Sequence, residues 1–438
     1  MAINKFIDRE GNTLLDLSAD SVTSENFVLA GKTYHGPDGL QHTGTLDPGP
    51  LDYSQYNFID YDGTLLYSYT DEELDALSEL PAGPDHTNDN LTFQGWNWSL
   101  ADLKAWDKTR PDRPLVGANL ITTDGKSYLY LDTPYAGVTL NISISKSATS
   151  NLIDWGDGTV DTNKSHVYAN PGQYVIVIDS SNGYWYFTNS SQQPTTSDNR
   201  QWIKKIKLGN VTMISSNAYE YLYNLESISI PNGITKIGDK AFYRCYTLKN
   251  ISIPNSITSI AYQLFNMCNC FQNISIPNSI TSIGEYAFAD CSSISNISIP
   301  SSVTSISNYA FENCRYLKKI TIPNSITSDL QYLFNNCYSL QNVLIQDGLT
   351  SIGQYLFYSC NSLKSVSIPN SITSIGKGAF NGSYCLILDL SKQTKIITLT
   401  SDIGVNTSWN RILVPKNLLS DYQSASYWSS YAACMVGV

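Results

Sequence analysis

The chain is poor in charge. Only 15% of its 438 residues are Asp, Glu, Lys or Arg, against about 25% in an ordinary soluble domain. Its 27 basic and 38 acidic residues leave a net charge of −11, and no Lys/Arg run stands out. Counterion release from phosphates has no basic stripe to work with, which argues against nucleic acid as a partner. Histidine is scarce: His35, His42, His86 and His166 are the four, which leaves little for metal chemistry. No stretch of about 18 apolar residues occurs, so no helix is expected to cross a membrane. Residues 1–12 place Asp8, Arg9 and Glu10 where a secretory leader would put its apolar run, and no signal peptide is expected. The cysteines number nine, an odd count in periodic positions, which points to packing rather than to a disulfide framework.

What is abundant is tyrosine (30), glycine (27), serine and asparagine, the composition of an all-β or repeat protein. At about 150 residues per domain, the length points to a string of modules.

The C-terminal half repeats every 23 residues. Phe242, Phe265, Phe288, Phe311, Phe334, Phe357 and Phe380 keep that spacing, as do Cys245, Cys268, Cys291, Cys314, Cys337 and Cys360. So do Leu225, Leu248, Phe271, Ile294, Leu317, Leu340 and Leu363, and Pro231, Pro254, Pro277, Pro300 and Pro323. Each row reads close to Leu-x-x-Ile-Ser-Ile-Pro-Asn-Ser-Ile-Thr-Ser-Ile-Gly-x-Tyr-Ala-Phe-x-x-Cys. Ile-Ser-Ile alternates with period 2, predicting a short strand with Ile inward and Ser outward. Proline ends that strand, a second short extended segment follows, and Tyr-Ala-Phe-x-x-Cys forms a turn. One row cannot bury its own apolar face; stacked rows can, and a solenoid follows. Asp329 interrupts the column of Ile237, Ile260, Ile283, Ile306, Ile352 and Ile375, and Leu330 occupies the glycine column, so a bulge or register shift is expected there. Ile206, Ile214, Tyr219, Leu222 and Leu225 read as a degenerate opening row, and the tail from Ile412 as a closing strand and an amphipathic helix.

These columns resemble the BspA-type leucine-rich repeat of bacterial and phage surface proteins, over about residues 203 to 400. Upstream, Ile153-Asp154-Trp155-Gly156-Asp157-Gly158-Thr159 and His166-Val167-Tyr168 through Ile178 resemble a PKD-type β-sandwich. There the glycines permit a tight turn, Asp157 can bond its backbone, and Trp155 and Tyr168 can pack between sheets. Residues 58–135 carry two helix starts, Thr70-Asp71-Glu72-Glu73 and Ser99-Leu100-Ala101-Asp102, with Trp96 and Trp98 flanking Asn97 before the second. The opening, with Gly31-Lys32-Thr33-Tyr34, Asp38-Gly39 and Thr43-Gly44-Thr45, resembles N-terminal segments of phage tail-associated proteins.

The expected fold is mainly β and multi-domain. Residues 1–50 form a virion-attachment segment and linker, 51–135 a small α+β module, and 136–200 a PKD-like β-sandwich and linker. Residues 201–400 form the leucine-rich-repeat solenoid and 401–438 its C-terminal cap. The resemblances imply a phage virion protein, made in the bacterial cytoplasm and carried on the virion surface. It would contact other virion proteins through residues 1–50 and host surface polysaccharide or protein through the solenoid. A trimer is an open option that no heptad repeat supports. A structural spacer of the virion, a bacterial cell-surface adhesin and, third, a carbohydrate-cleaving tail enzyme are the alternatives.

No enzyme, cofactor or metal site is expected. Gly31-Lys32-Thr33 lacks the upstream glycine of a phosphate-binding loop, because position 26 is Asn26. Asp60, Asp62 and Gly63, like Asp154 and Asp157, lack the alternating carboxylates and downstream Glu of a calcium loop and read as turn chemistry. No Ser/Cys–His set or close carboxylate pair is legible. Two candidate binding sets remain. Tyr286, Tyr309, Tyr332 and Tyr355 form a column that either offers an aromatic rail to sugars or seals the core over the turn. Lys249, Lys318, Lys319 and Lys364 precede the strand and either meet anionic wall polymers or form a solvated face.

Overall fold

The computed structural model describes residue 52 and residues 54–438, apart from 87–88, 146, 149, 181–182, 188–198, 385 and 406–409. Of residues 1–51 it describes the backbone of two antiparallel strand pairs, Lys5–Ile7 with Thr13–Asp16 and Thr33–His35 with Gln41–Thr43. Gly31, Lys32 and most of the expected attachment segment lie outside the described residues. The protein is mainly β, and among the described residues its short α-helices lie in the front module and at the C-terminal end, with a 3-10 turn at Asn199–Trp202.

The front module is a four-stranded sheet in the order Leu65–Tyr69, Tyr56–Ile59, Leu115–Thr122, Leu91–Trp96. Both expected helix starts form. Thr70 and Glu73 make a reciprocal capping box ahead of Asp71–Ala76, and the Ser99 hydroxyl accepts from the Asp102 N–H ahead of Leu100–Lys104. Leu74 and Leu103 bury their side chains with Phe58, Trp96, Trp98 and Trp106.

Residues 127–187 contribute strands to two sheets. One holds Ser165–Tyr168, Val138–Ile144 and Trp185–Phe187. The other runs Val160–Asp161, Ile153–Asp154, Gly172–Ile178, Ser127–Thr133, Ile203–Lys207, Ser227–Ser229. Trp155, Tyr168 and Trp185 are fully buried in one core cluster, and the Tyr168 hydroxyl donates to the Trp155 carbonyl at 3.0 Å. Gly156 has φ +80°, and a Cβ there would stand 2.6 Å from the Val175 carbonyl oxygen, so only glycine fits this turn. Asp157 accepts from the Thr159 N–H at 3.0 Å and contacts His166 Nε2 at 2.7 Å, the turn role expected of it.

That second sheet does not stop at the solenoid. Ser127–Thr133 pairs antiparallel with both Gly172–Ile178 and Ile203–Lys207, and Ile203–Lys207 pairs parallel with Ser227–Ser229 of the first full row. Ser127–Thr133 is thus the joint between the strand Gly172–Ile178 and the solenoid. Its alternating Tyr/Leu pattern supplies inward leucines, Leu129 and Leu131, to the shared core.

In the solenoid, successive rows pair in parallel at the repeat spacing, with Ile251 opposite Ile274 and Ile260, Ile283 and Ile306 in line. The phenylalanines stack from Phe242 to Phe380 with neighbouring centroids 5.3–5.8 Å apart. Each proline carbonyl from Pro231 to Pro323 accepts from the N–H three residues on, turning the chain out of the first strand. All six column cysteines are buried and unpaired, and each Sγ donates to a carbonyl of the preceding row, from Cys245 to Tyr219 through Cys360 to Phe334, at 3.0–3.3 Å. Burial pushes these thiols well above the ordinary thiol range. The shift at Asp329 is present: Leu330 is buried and bridges Ile352, while Asp329 turns outward. The closing strand Arg411–Val414 is followed by the helix Leu419–Ser424, and a last strand, Met435–Gly437, lies parallel to it.

Candidate functional site

The strand face of the solenoid is already occupied over its first rows. Leu115–Thr122 of the front module lies against Ser227–Ser229, Asn250–Ser252 and Asn273–Ser275. The outward serines expected to meet water are outward but buried: Ser229, Ser252, Ser275 and, further on, Thr321. Asn97 sits at the centre. Its Nδ2 donates to Ser275 Oγ at 2.7 Å and to the Ile253 carbonyl at 3.2 Å, while its Oδ1 accepts from the Gly117 N–H at 2.7 Å. Around it Ser252 donates to Asn119 at 3.0 Å, Asn250 to the Asp62 carbonyl at 2.8 Å, Thr321 to Asp112 at 2.8 Å and Arg110 to the Ile299 carbonyl at 3.0 Å. Gly117 allows this approach, because a Cβ on it would stand 2.4 Å from Ser252 Oγ. A buried polar seam of this kind is stable only when its groups find partners.

The tyrosine column is a ladder. Tyr286, Tyr309, Tyr332 and Tyr355 stack in turn with centroids 4.8, 4.8 and 5.1 Å apart and interplanar angles of 5, 21 and 25°. All four are half-buried. The ring faces are spent on one another, so the free surface is a row of edges and hydroxyls rather than open faces. At the far end the Tyr355 ring rests on Gly378, where a Cβ would stand 2.5 Å from its Cε1. Each tyrosine has φ between +53° and +60°, but Asn217, Lys240 and Gln263 hold the same left-handed turn in earlier rows. The conformation therefore belongs to the repeat and carries no functional information at tyrosine. Burial, with the Glu312 carboxylate beside it, raises the pKa of Tyr286; burial and Tyr332 raise that of Tyr309.

Lys249, Lys318 and Lys364 are exposed, and Lys319 is half-buried with its Nζ 3.5 Å from the Pro111 carbonyl. They do not form one site. Gln272, Ser295 and Gln341 interrupt the column, leaving Lys318 and Lys364 two rows apart. The sequence reading missed the Asn97 seam, because nothing periodic marks a single polar residue that meets a strand 178 residues away. Its nearest signal was the placement of Asn97 between two tryptophans. Among the described residues no group of three or more His, Cys, Asp or Glu side chains could hold a metal ion.

Residues 212–337 and 282–407 match the BspA type leucine rich repeat region, in six copies. Comparison with curated proteins found no match. Among solved structures the chain is similar to a leucine-rich repeat protein of T. pallidum, at 26% identity over 44% of this chain and 87% of that one, with a TM-score of 0.34. It is also similar to a leucine-rich repeat protein of Bacteroides ovatus, at 23% identity over 52% of this chain and 76% of that one, TM-score 0.34. A third is a leucine rich cell surface protein of Faecalibacterium prausnitzii, at 24% identity over 52% and 74%, TM-score 0.28.

Proposed function

We propose that the protein is a non-enzymatic surface-recognition component whose solenoid adheres to a cell-surface glycan or protein. The tyrosine ladder carries this reading. Four successive rows present the same hydroxyl-bearing edge at spacings of 4.8–5.1 Å, on a support made rigid by the phenylalanine stack behind it. Such an array makes weak contacts individually and gains avidity when several copies act together. The exposed Lys318 and Lys364 add an outlying attraction for anionic polymers.

The proposed carrier is a phage particle, held through residues 1–50, on the resemblance of the opening segment to tail-associated proteins. Residues 127–187 act in this reading as a PKD-type spacer. The repeat match equally suits a bacterial cell-surface adhesin, and the spacer role alone is favoured by the unbroken sheet that joins sandwich to solenoid.

The test uses the full chain, because the front module covers the first rows and a solenoid fragment would expose their polar face. Binding to host cells and extracted wall polysaccharide is compared with that of a variant carrying Tyr→Phe at 286, 309, 332 and 355. That variant keeps the stack and loses the hydroxyls. At least tenfold weaker binding supports the ladder; equal binding moves the contact elsewhere; no binding by either chain, even when multimerised, leaves the spacer.

A further inference from the structure

A cavity of about 470 Å³ opens where the last rows of the solenoid meet the C-terminal cap. Its volume lies within the roughly 300–1,000 Å³ of small-molecule sites. The wall carries Tyr384, Tyr427 and Tyr431, the carboxylate of Asp402, and the hydroxyl-bearing Ser383 and Ser430. No Lys, Arg or His is among the described residues that line it.

The carboxylate is fixed on one side. Asp402 Oδ1 accepts from the Gly404 N–H at 2.7 Å and from the Tyr431 hydroxyl, which itself accepts from the Ile403 N–H at 3.1 Å. Tyr431 is buried and forms the floor. Oδ2 takes no hydrogen bond from the described residues and remains an acceptor on an exposed residue. Two tyrosines stand at the rim with unusual exposure, Tyr384 at 56% and Tyr427 at 49%. Tyr427 also has φ +60° and ψ −32°. Unlike the ladder tyrosines, it belongs to no repeating column, so the repeat does not impose this conformation. Tyr427 is the one non-glycine residue of positive φ among the described residues that line the cavity, and backbone strain of this kind concentrates at functional sites.

The lining selects among ligand chemistries. A carboxylate with no neighbouring cation repels phosphate, sulfate and acidic sugars. A single valine gives a fatty chain almost nothing to bury against. Exposed rings can cover the C–H face of a pyranose, and an ionised carboxylate accepts strong hydrogen bonds from sugar hydroxyls. We propose that this cavity binds one neutral hexopyranose unit. The site is distinct from the tyrosine ladder and goes beyond the adhesion reading, since it holds whether or not the ladder binds.

Saturation-transfer NMR on the full chain, with glucose, galactose, mannose, N-acetylglucosamine, N-acetylgalactosamine and choline as separate probes, tests it. The variants are Tyr427→Gly, Asp402→Asn and the four-site Tyr→Phe ladder change. Glycine relieves the positive φ at 427, so that variant is expected to melt no lower than the parent, and its loss of binding cannot be ascribed to unfolding. The expected result is transfer to at least one neutral sugar, at least tenfold weaker in Tyr427→Gly and Asp402→Asn and unchanged in the ladder variant. Transfer to none of the five sugars overturns the proposal. So does undiminished binding by Tyr427→Gly, binding lost only in the ladder variant, or transfer to choline alone, which would make the cavity a cation site.

Discussion

Asn97 and Ser275 hydrogen-bond in both directions although 178 residues separate them, Nδ2 to Oγ at 2.7 Å and Oγ to Oδ1 at 3.0 Å, with both side chains closed to solvent. This pair ties the front module to the strand face of the solenoid. It also fixes what that face can do, because Ser252 and Ser275 of the covered rows spend their hydroxyls on the front module.

Replacing Asn97 with Ala is expected to destabilise the protein by about 1–3 kcal/mol, since it leaves the Gly117 N–H buried without its acceptor and leaves the Ser275 hydroxyl only the Leu115 carbonyl. Thermal or urea denaturation measures the loss. Hydrogen exchange should quicken together in Leu115–Thr122 and Asn273–Ser275. An unchanged midpoint would show that the seam contributes nothing to docking.

Cysteine chemistry separates the column from Cys270. Cys270 is exposed, whereas Cys245, Cys268, Cys291, Cys314, Cys337 and Cys360 are buried with their thiols held protonated by desolvation. Iodoacetamide followed by peptide mass spectrometry should label Cys270 in the native protein and the column cysteines only after denaturant is added. Early labelling of Cys291 or Cys314, in mid-solenoid, would contradict a closed core.

His86 gives the front module a pH dependence. The Asp60 carboxylate, 2.5 Å from its Nε2, raises the imidazole pKa, outweighing burial, which acts the other way. The folded value lies above the unfolded one of about 6.5. The pairing therefore stabilises fully below about pH 6.5 and loses its contribution as pH rises through the folded value. A melting series from pH 5 to 9 should show this fall, and His86→Gln should flatten it. A His86→Gln variant with the same slope as the parent would place the dependence elsewhere.

The solenoid was legible in the sequence because its cause is local and repeated. Ile251, Phe265, Cys268 and Leu248 recur at one spacing since every row must fill the same space between its two neighbours, and a column is the trace of that constraint. The departure at Asp329 was legible for the same reason. The capping box at Thr70 and the side-chain cap at Ser99 were also local, each joining a residue to the one three positions on.

The strand Ser127–Thr133 shows where the sequence runs out. Its alternation marks it as a strand, but nothing in the alternation says that one edge belongs to Gly172–Ile178 and the other to the strand that opens the solenoid. The serine of Ile-Ser-Ile reads as solvent-facing in every row, and only docking of the front module turns Ser252 and Ser275 into buried partners of Asn119 and Asn97. Likewise a column of tyrosines predicts neighbouring rings, while the tilt that stacks them and withdraws their faces is set by the row-to-row geometry. The sequence by itself determined the repeat, its core and its turns, because those follow from apolar periodicity along the chain. Tertiary structure alone decided which polar surfaces remain free, because a hydrogen-bonded seam between distant segments is matched group by group and leaves no period to read.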